Sequence, residues 1–469
     1  MKNVCCFLTM MLVVVSANGQ TVATRLASAF AAFEKDPQLK SALSSIYVID
    51  GTTGSVLFEK NAQIGVAPAS TQKIITAATA YEILGKDFRY ETRFGYYGSL
   101  KEGKLDGGLY FRPSGDPTLG SWRWPATTET AVMNRLFTAF QQTGIKAFSK
   151  SILDERGWES EAIPGGWIWD DIGNYYGAGA AALNWRENQY DLFLKSGPGI
   201  GDAVIVTGTK PQLYGIQFES KVTSAAKGSG DNSYIYLPIG HNVATVRGTI
   251  PKDENRFTIS GAMPSALMQF LATLHDTLAR NGINVQGSTI PVNKLTNIEI
   301  PSSVRYFHTE TSPPLDSISY WFLRRSINLY GEALAKTIAI KKGKTASSEI
   351  GGDVIRDYWK DKGIGIDASE LNMQDGSGLS PQNRVTTHAQ VAVLQYAKKQ
   401  PWFSGFYEGF PLYNGMKLKS GTIGGAKGFC GYHTSKDGKQ YIVSFIVNNY
   451  TGPASSLVQK MYKVLDVLK

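Results

Sequence analysis

Apolar residues recur at helix and strand spacing through the first part of the chain. They follow three- and four-residue steps from Val22 to Phe33, so residues 22–35 are predicted to form an amphipathic helix. Residues 45–50 and 55–59 predict two strands joined by a turn that contains glycine. Pro68 then opens a predicted helix that runs to Leu84 and stops at Gly85.

From about residue 89 the pattern changes to short strands separated by glycine, which predicts a new domain. Helices are predicted at 129–143 and 265–280, each closed by a glycine. Residues from about 185 to 262 have the pattern of strands and turns. That stretch is therefore a candidate for a third, nested domain.

Helical periodicity returns after about residue 300, with helices predicted at 315–322, 329–340 and 389–397. The last part of the chain has the pattern of three antiparallel strands, at 417–422, 428–433 and 440–447. A helix at 454–468 is expected to cover that sheet.

The amino terminus has the layout of a cleavable signal peptide. Lys2 precedes an apolar stretch from Val4 to Val15, and small residues follow up to Gly19. The stretch is too short to span a bilayer stably, so residues 1–19 predict export without a transmembrane anchor. The alternative is a buried N-terminal helix. After removal of this segment only Cys430 remains, so no internal disulfide is expected.

Composition and charge narrow the function classes. Hydrophobic residues make up 42% and charged residues 19%, as in ordinary globular proteins. The net charge of +9 is spread along the chain, and no basic stripe interleaved with aromatic residues predicts nucleic-acid binding. The five histidines lack metal-ligand spacing, and there is no Gly-x-Ser-x-Gly motif. We therefore expect no metal and no cofactor.

A first candidate for catalysis is Ser70-Thr71-Gln72-Lys73, in the first turn of the helix that Pro68 opens. The hydroxyl of Ser70 and the amine of Lys73 are three residues apart and share one helix face. A serine needs a base to become nucleophilic, and a lysine can act as that base once its pKa is lowered. Alone, this pattern is equally compatible with a helix cap beside a solvated lysine.

Two further segments carry suitable groups. In Ser326-Ile327-Asn328 the hydroxyl can relay a proton, and the amide can bind a substrate carbonyl and the lysine. In Lys419-Ser420-Gly421-Thr422 the lysine supplies a second cation and the hydroxyls can hold a carboxylate, while Gly421 lets a substrate backbone approach. The backbone N–H groups of Ser70 and Thr422 are candidates for an oxyanion hole.

The order Ser-x-x-Lys, Ser-x-Asn, Lys-x-Gly is the signature of penicillin-binding proteins and serine β-lactamases. More closely, the chain resembles the class C low-molecular-mass penicillin-binding proteins, which are D-alanyl-D-alanine carboxypeptidases and endopeptidases. The likeness covers nearly the whole chain after the signal peptide, and its other segments are 68–70, 114–119, 312–315, 328–332 and 375–380.

The resemblance implies an α/β (α+β) fold with a catalytic domain like that of penicillin-binding proteins and serine β-lactamases, in which helices cover an antiparallel sheet. This domain would comprise residues 20–88 and 300–469, interrupted by a large, mainly β/α insertion at 89–299. It also implies that Ser70 is the acylated nucleophile and Lys73 the base. The proton-relay and orienting groups would be Ser326, Asn328 and Lys419.

The chain departs from the family pattern at two positions. Ile327 stands where the family usually has aspartate, and Ser420 where it usually has threonine. Ser420 keeps a hydroxyl, whereas Ile327 removes a charge near the site. This second change bears on relative rates more than on the type of reaction.

A loop of the insertion, Trp167-Ile168-Trp169-Asp170-Asp171 with Tyr175, resembles the family segment that reads the ammonium of a diamino acid. We expect Trp167, Asp170, Asp171 and Tyr175 to bind that group, because carboxylates and aromatic faces both attract a cation. The alternative is an aromatic loop at a domain interface.

The sequence thus predicts an exported serine peptidase of the periplasm or cell envelope that acts on D-alanyl-D-alanine in peptidoglycan stem peptides. β-Lactams would be covalent inhibitors, and peripheral association with the membrane or wall stays open. Two alternatives remain: a β-lactamase or esterase of the same fold, and a catalytically silent wall-binding or sensor protein.

Overall fold

A computed structural model of the chain describes residues 21–213, 215–292 and 299–469. The predicted signal peptide lies outside the described residues. No helix in the described ranges is long and apolar enough to cross a membrane.

The largest sheet joins the two ends of the described chain. It is antiparallel, in the order β16-β17-β18-β19-β1-β2. Its strands are β1 (Leu43–Asp50), β2 (Val56–Lys60), β16 (Leu412–Tyr413), β17 (Met416–Ile423), β18 (Ala426–Thr434) and β19 (Gln440–Asn448). Because β1 pairs with β19, strands from distant parts of the chain must both be present for this sheet to be complete.

Helices cover both faces of this sheet. One face packs against α1 (Val22–Glu34) and α11 (Ala454–Leu465) through an apolar core that includes Phe30 and Phe445. The other packs against a helical layer: α2 (Lys73–Leu84), α6 (Leu315–Arg325), α7 (Asn328–Lys341), α8 (Ser348–Asp361), α9 (Thr387–Ala397) and α10 (Phe403–Glu408). A short pair, β14 (Leu371–Asn372) and β15 (Arg384–Val385), lies between α8 and α9 in sequence. This arrangement is the predicted α/β fold of an antiparallel sheet between helices.

A second, five-stranded sheet lies in the predicted insertion, in the order β12-β5-β4-β3-β13. Its strands are β3 (Glu91–Lys101), β4 (Lys104–Arg112), β5 (Ala147–Asp154), β12 (Asn284–Val292) and β13 (Arg305–Thr311), with α3 (Glu129–Gln142) and α5 (Ala266–Arg280) packed on it. Because β13 pairs with β3, we propose that the insertion extends to Thr311, beyond the limit at residue 299 that the sequence predicts.

Two three-stranded sheets share a separate apolar core within the same insertion. Their strands are β6 (Gln189–Lys195), β7 (Ile205–Lys210), β8 (Gln217–Ala225), β9 (Asn232–Tyr236), β10 (Val243–Pro251) and β11 (Phe257–Ala262). The short helix α4 (Trp169–Ile172) belongs to a loop that precedes them. We propose that this part is the nested unit predicted at about 185–262.

Two of the differences from the predicted elements lie near the helices that carry the site. The helix predicted from Pro68 begins as a 3-10 turn at Ala69–Gln72, in which Ala69 has a left-handed φ of 48°. Helix α8 was not predicted, because Gly351 and Gly352 lower helix propensity. A Cβ atom on Gly351 would lie 2.5 Å from the carbonyl oxygen of Ala335 in α7, so the glycine permits close helix packing.

Candidate active site

Ser70 lies in the 3-10 turn that precedes α2 and lines an open cleft of about 570 Å³. The Nζ atom of Lys73 is 2.8 Å from Ser70 Oγ, 2.6 Å from Asn328 Oδ1 and 2.7 Å from the carbonyl oxygen of Ser377. Lys73 donates one hydrogen to Asn328 Oδ1 and one to the Ser377 carbonyl oxygen. A neutral amine held in this way directs its lone pair at the serine hydroxyl.

The surroundings of Lys73 favour the neutral amine. The side chain is 0% exposed, and burial lowers the pKa of Lys73 well below its ordinary value. The neighbouring cation of Lys419 lowers this pKa further, while the carboxylates of Asp375 and Glu332 oppose the shift. Lys73 can therefore accept a proton at a pH where an exposed lysine is already charged.

A second serine–lysine pair faces the first across the cleft. Ser326 occupies the left-handed residue (φ 59°) between α6 and α7, a strained backbone position of the kind that clusters at functional sites. Lys419 on β17 donates to Ser326 Oγ at 2.9 Å and to the carbonyl oxygen of Ser420 at 2.7 Å. Burial lowers the pKa of Lys419 to about 7. The three sequence motifs thus meet around one cleft.

Gly421 holds β17 directly against the Ser70 turn. A Cβ atom at this position would lie 2.7 Å from the carbonyl oxygen of Pro68 and 2.9 Å from the backbone nitrogens of Ser70 and Thr71. The sequence interpretation, that Gly421 makes room for a substrate backbone, therefore misses its main role. The glycine is needed because the protein's own backbone occupies that space.

Asn328 links the cleft to the inserted loop. Its Oδ1 accepts from Lys73, and its Nδ2 donates to the carbonyl oxygen of Tyr176 at 2.8 Å. Ile327 lines the same cleft and its apolar side chain is largely buried in the helical core, so no charge is added where the family usually has one.

The loop residues separate into two groups. Asp170, Asp171 and Tyr175 line the cleft together with Ser70. Trp167 does not line it: the side chain is 8% exposed, and its indole N–H donates to Asp375 Oδ2 at 2.9 Å. Trp167 therefore anchors the loop to the 375–380 segment, a positioning contact in place of the predicted substrate contact.

Asp171 has a raised affinity for protons. Burial raises the pKa of Asp171 to about 6, with the charge of Asp170 adding to the shift and a hydrogen bond from Tyr176 opposing it. Tyr175 lines the same cleft and keeps 51% of its surface exposed. An ammonium group entering the cleft would meet a carboxylate and an aromatic face, both of which favour a cation.

Sequence reasoning missed two groups that form hydrogen bonds with the predicted site residues. The Ser377 carbonyl that binds Lys73 belongs to a segment quoted only for its family likeness. Lys427 on β18 donates to Thr422 Oγ1 at 2.7 Å, and burial lowers the pKa of Lys427. The sequence did contain a signal for the position of Lys427. A two-residue hairpin turn at Gly424-Gly425 places Lys427 directly opposite Thr422.

This cleft and the helix-covered sheet define a class of enzyme: active-site serine acyltransferases with the fold of penicillin-binding proteins. Residues 26–415 match the D-Ala-D-Ala carboxypeptidase 3 (S13) family, and the chain belongs to it. The protein is therefore a serine peptidase of the D-Ala-D-Ala carboxypeptidase type.

Two relatives illustrate the similarity in sequence. A D-alanyl-D-alanine carboxypeptidase from Actinomadura sp. is 24% identical over 93% of this chain and 83% of its own length. The D-alanyl-D-alanine carboxypeptidase DacB from Haemophilus influenzae is 24% identical over 86% of this chain and 85% of its own length.

Solved structures share the fold. Penicillin binding protein 4 from Haemophilus influenzae superposes with a TM-score of 0.77 at 21% identity, covering 94% of this chain and 98% of that protein. A predatory endopeptidase from Bdellovibrio bacteriovorus, solved in complex with an immunity protein, has a TM-score of 0.51 at 13% identity and covers 91% of this chain and 93% of its own. The predicted fold class is confirmed.

Proposed function

We propose that the protein cleaves D-alanyl-D-alanine bonds of peptidoglycan stem peptides through an ester on Ser70 Oγ. The observation that carries this proposal is the buried amine of Lys73, held by two acceptors with its third position 2.8 Å from Ser70 Oγ. Intact geometry at Ser70, Lys73 and Lys419 argues against a silent sensor protein.

In the acylation step Ser70 Oγ attacks the carbonyl carbon of the penultimate D-alanine, and its proton passes to Lys73 Nζ. The backbone N–H groups of Ser70 and Thr422 are proposed to stabilise the oxyanion. As the peptide bond breaks, the proton held on Lys73 is relayed through the hydroxyl of Ser326 to the leaving amine, and Lys73 becomes neutral again. Lys419 stays charged and holds that hydroxyl by donating to Ser326 Oγ at 2.9 Å. Water then hydrolyses the ester and regenerates the hydroxyl of Ser70.

The leaving group distinguishes carboxypeptidase activity from endopeptidase activity. If it is free D-alanine, the reaction is a carboxypeptidase reaction, and if it is the amine of a cross-link, it is an endopeptidase reaction. In both cases the hydroxyls of Ser420 and Thr422 are proposed to bind the terminal carboxylate, assisted by Lys427 beside Thr422. β-Lactams would acylate Ser70 and block the cleft.

The location follows from the substrate. We propose that residues 1–19 direct export and that the enzyme works in the periplasm or cell envelope, where peptidoglycan lies.

The experiment that tests the function compares three compounds: a soluble D-alanyl-D-alanine peptide, a cross-linked dimer of stem peptides, and penicillin. We expect release of D-alanine or cleavage of the dimer, and inhibition by a slowly hydrolysed penicillin. Rapid penicillin turnover without peptide cleavage would instead identify a β-lactamase.

We propose that Asp171, with Asp170 and Tyr175, binds an ammonium on the substrate side chain, since a charged carboxylate attracts it and a protonated one does not. In the wild-type enzyme the ratio of kcat/KM for an ammonium-bearing peptide over its N-acetylated analogue should rise as the pH increases through about 6. In Asp171→Asn this ratio should fall roughly tenfold, the size of one charge-assisted hydrogen bond, and become independent of pH.

Steady-state kinetics between pH 5 and 8 measure this ratio, in which pH effects on the shared chemical steps cancel. Asp106→Asn is the matched control, because it removes the same charge from an exposed position on β4, outside the cleft. An unchanged ratio in Asp171→Asn, or an equal loss in both variants, would contradict a specific role for Asp171.

A further inference from the structure

A second cavity, of about 690 Å³, lies where the inserted sheet meets the ends of two catalytic-domain helices. It is larger than the catalytic cleft, and the residues described for the two sites do not overlap. Five cationic side chains line it, and we call it the arginine cavity after them: Arg89, Arg93, Arg112, Arg156 and Lys341.

The positive charge of the arginine cavity is only partly balanced. Its two carboxylates are already engaged: Glu91 pairs with Arg93 at 3.0 Å, and Asp154 binds Arg156 in a bidentate pair at 2.9 and 3.0 Å. The guanidinium of Arg112 makes no hydrogen bond or ion pair with any residue that the structure describes, although its backbone belongs to the ladder of β3 and β4. The cavity therefore keeps an excess of positive charge.

Two of these arginines oppose each other directly. Arg93 on β3 and Arg112 on β4 are cross-strand partners in the antiparallel ladder, so their side chains leave the same face of the sheet. Like charges in this position repel and destabilise the sheet. An anion bound between the two guanidinium groups would remove that cost and gain bidentate hydrogen bonds.

The rest of the cavity is mainly apolar, with the hydroxyls of Ser114 and Thr337 among its few polar groups. Phe88 and Trp158 contribute aromatic surface, and Ile340 keeps 39% of its surface exposed. A ligand that fits must carry an anionic group and small apolar groups. The carboxyl terminus of a D-alanyl-D-alanine peptide has both, a carboxylate and two methyl groups.

The position of the cavity connects it to catalysis. Helices α2 and α7 pack together, and both begin at the cleft, with Lys73 and Asn328, and end at the arginine cavity, with Leu84 and Lys341. A helix rises 1.5 Å per residue, so α7 spans about 20 Å, and this is the approximate distance between the two sites. A polymer that carries many stem peptides can span such a distance.

We propose that the arginine cavity binds the carboxylate terminus of a second stem peptide on the same peptidoglycan molecule, while the first occupies the cleft. This inference rests on the proposed function. Occupation of the second site raises the local concentration of substrate at the first, so it increases activity on the polymer without changing the chemistry at Ser70.

The first test measures binding with the cleft blocked. Full-length enzyme acylated by penicillin is titrated with a fluorescent peptide ending in D-alanyl-D-alanine, and anisotropy is recorded. We expect saturable binding that weakens at least tenfold in Arg93→Ala/Arg112→Ala and with a C-terminally amidated peptide. The double variant Arg25→Ala/Arg280→Ala, which removes two exposed charges elsewhere, should bind as the wild type does.

The second test measures hydrolysis by the unblocked enzyme. Arg93→Ala/Arg112→Ala should lose about tenfold in the rate on insoluble peptidoglycan, with an unchanged kcat/KM on a soluble peptide. No binding by the acylated wild type, or equal losses on both substrates, would overturn the inference. A further outcome is an arginine variant that binds the peptide as the wild type does but no longer binds vesicles of anionic phospholipid that the wild type binds. That result would also overturn the inference and assign the cavity to a membrane surface.

The two proposals fail in different ways. If the soluble peptide is not cleaved and penicillin forms no adduct, the proposed function is wrong. If both reactions occur but the arginine variant behaves like the wild type on the polymer, only the second site is wrong.

Discussion

Ser70→Ala should form no covalent adduct with a labelled penicillin and should lose peptidase activity by about 10⁴-fold or more, as expected when a catalytic nucleophile is removed. Ser70 lines the cleft, and its hydroxyl lies 2.8 Å from Lys73 Nζ. In the wild type, mass spectrometry should locate the adduct on the peptide that contains Ser70.

The control for this result is Ser229→Ala, which changes an exposed serine in a loop of the insertion. It should be labelled as strongly as the wild type. Thermal unfolding of both variants excludes a loss of fold as the cause. An adduct that persists in Ser70→Ala, or that maps to another residue, would refute the assignment of the nucleophile.

Lys73→Met should lower kcat/KM for a D-alanyl-D-alanine peptide by about 10³-fold, the usual contribution of a general base. The thioether cannot accept the proton of Ser70 at neutral pH. Lys73→Arg separates this role from that of a positive charge, because a guanidinium stays protonated but keeps hydrogen-bond donors. We expect both variants to be equally impaired. An active Lys73→Arg enzyme would show that the charge alone is needed.

The pH dependence provides a second readout. The pKa of Lys73 is lowered, so the fraction of neutral amine, and with it the acylation rate, rises with pH well before an exposed lysine titrates. Lys419 acts as a cation, and its pKa is lowered to about 7, so the rate should fall as the pH rises through about 7. The wild-type profile is expected to be bell-shaped, and Lys73→Met should lack its rising limb. Pre-steady-state acylation by penicillin at a series of pH values measures both limbs.

Much of the catalytic domain could be predicted because its elements follow hydrophobic periodicity closely. Helices α1, α7 and α9 and strands β17 to β19 lie within a few residues of their predicted limits. Helix α8 could not be predicted, since its two glycines are favoured by contacts with Ala335 and Met373 that a single sequence does not reveal. Local pattern therefore specifies an element well where its own residues, and not distant ones, determine its stability.

In the site, too, local sequence predicts some features, and contacts between distant segments determine the others. The residues proposed to carry the chemistry could be predicted because their types and order along the chain are distinctive. The contacts that position them come from distant segments: the Ser377 carbonyl, the Tyr176 carbonyl, and Asp375 as the partner of Trp167. An aromatic residue next to acidic ones predicts a binding loop, but only the fold determines which rings face the cleft and which hold the loop in place.

The pairing of β1 with β19 and the contact of Gly421 with the Ser70 turn have a consequence for biogenesis. A nascent or truncated chain that lacks the last strands would leave β1 with an unpaired edge and the nucleophile without its support. Such native contacts between distant parts of a chain form slowly. Capture of a β-lactam would then report that synthesis and folding are both complete, so a fluorescent penicillin could time the maturation of this protein in living cells.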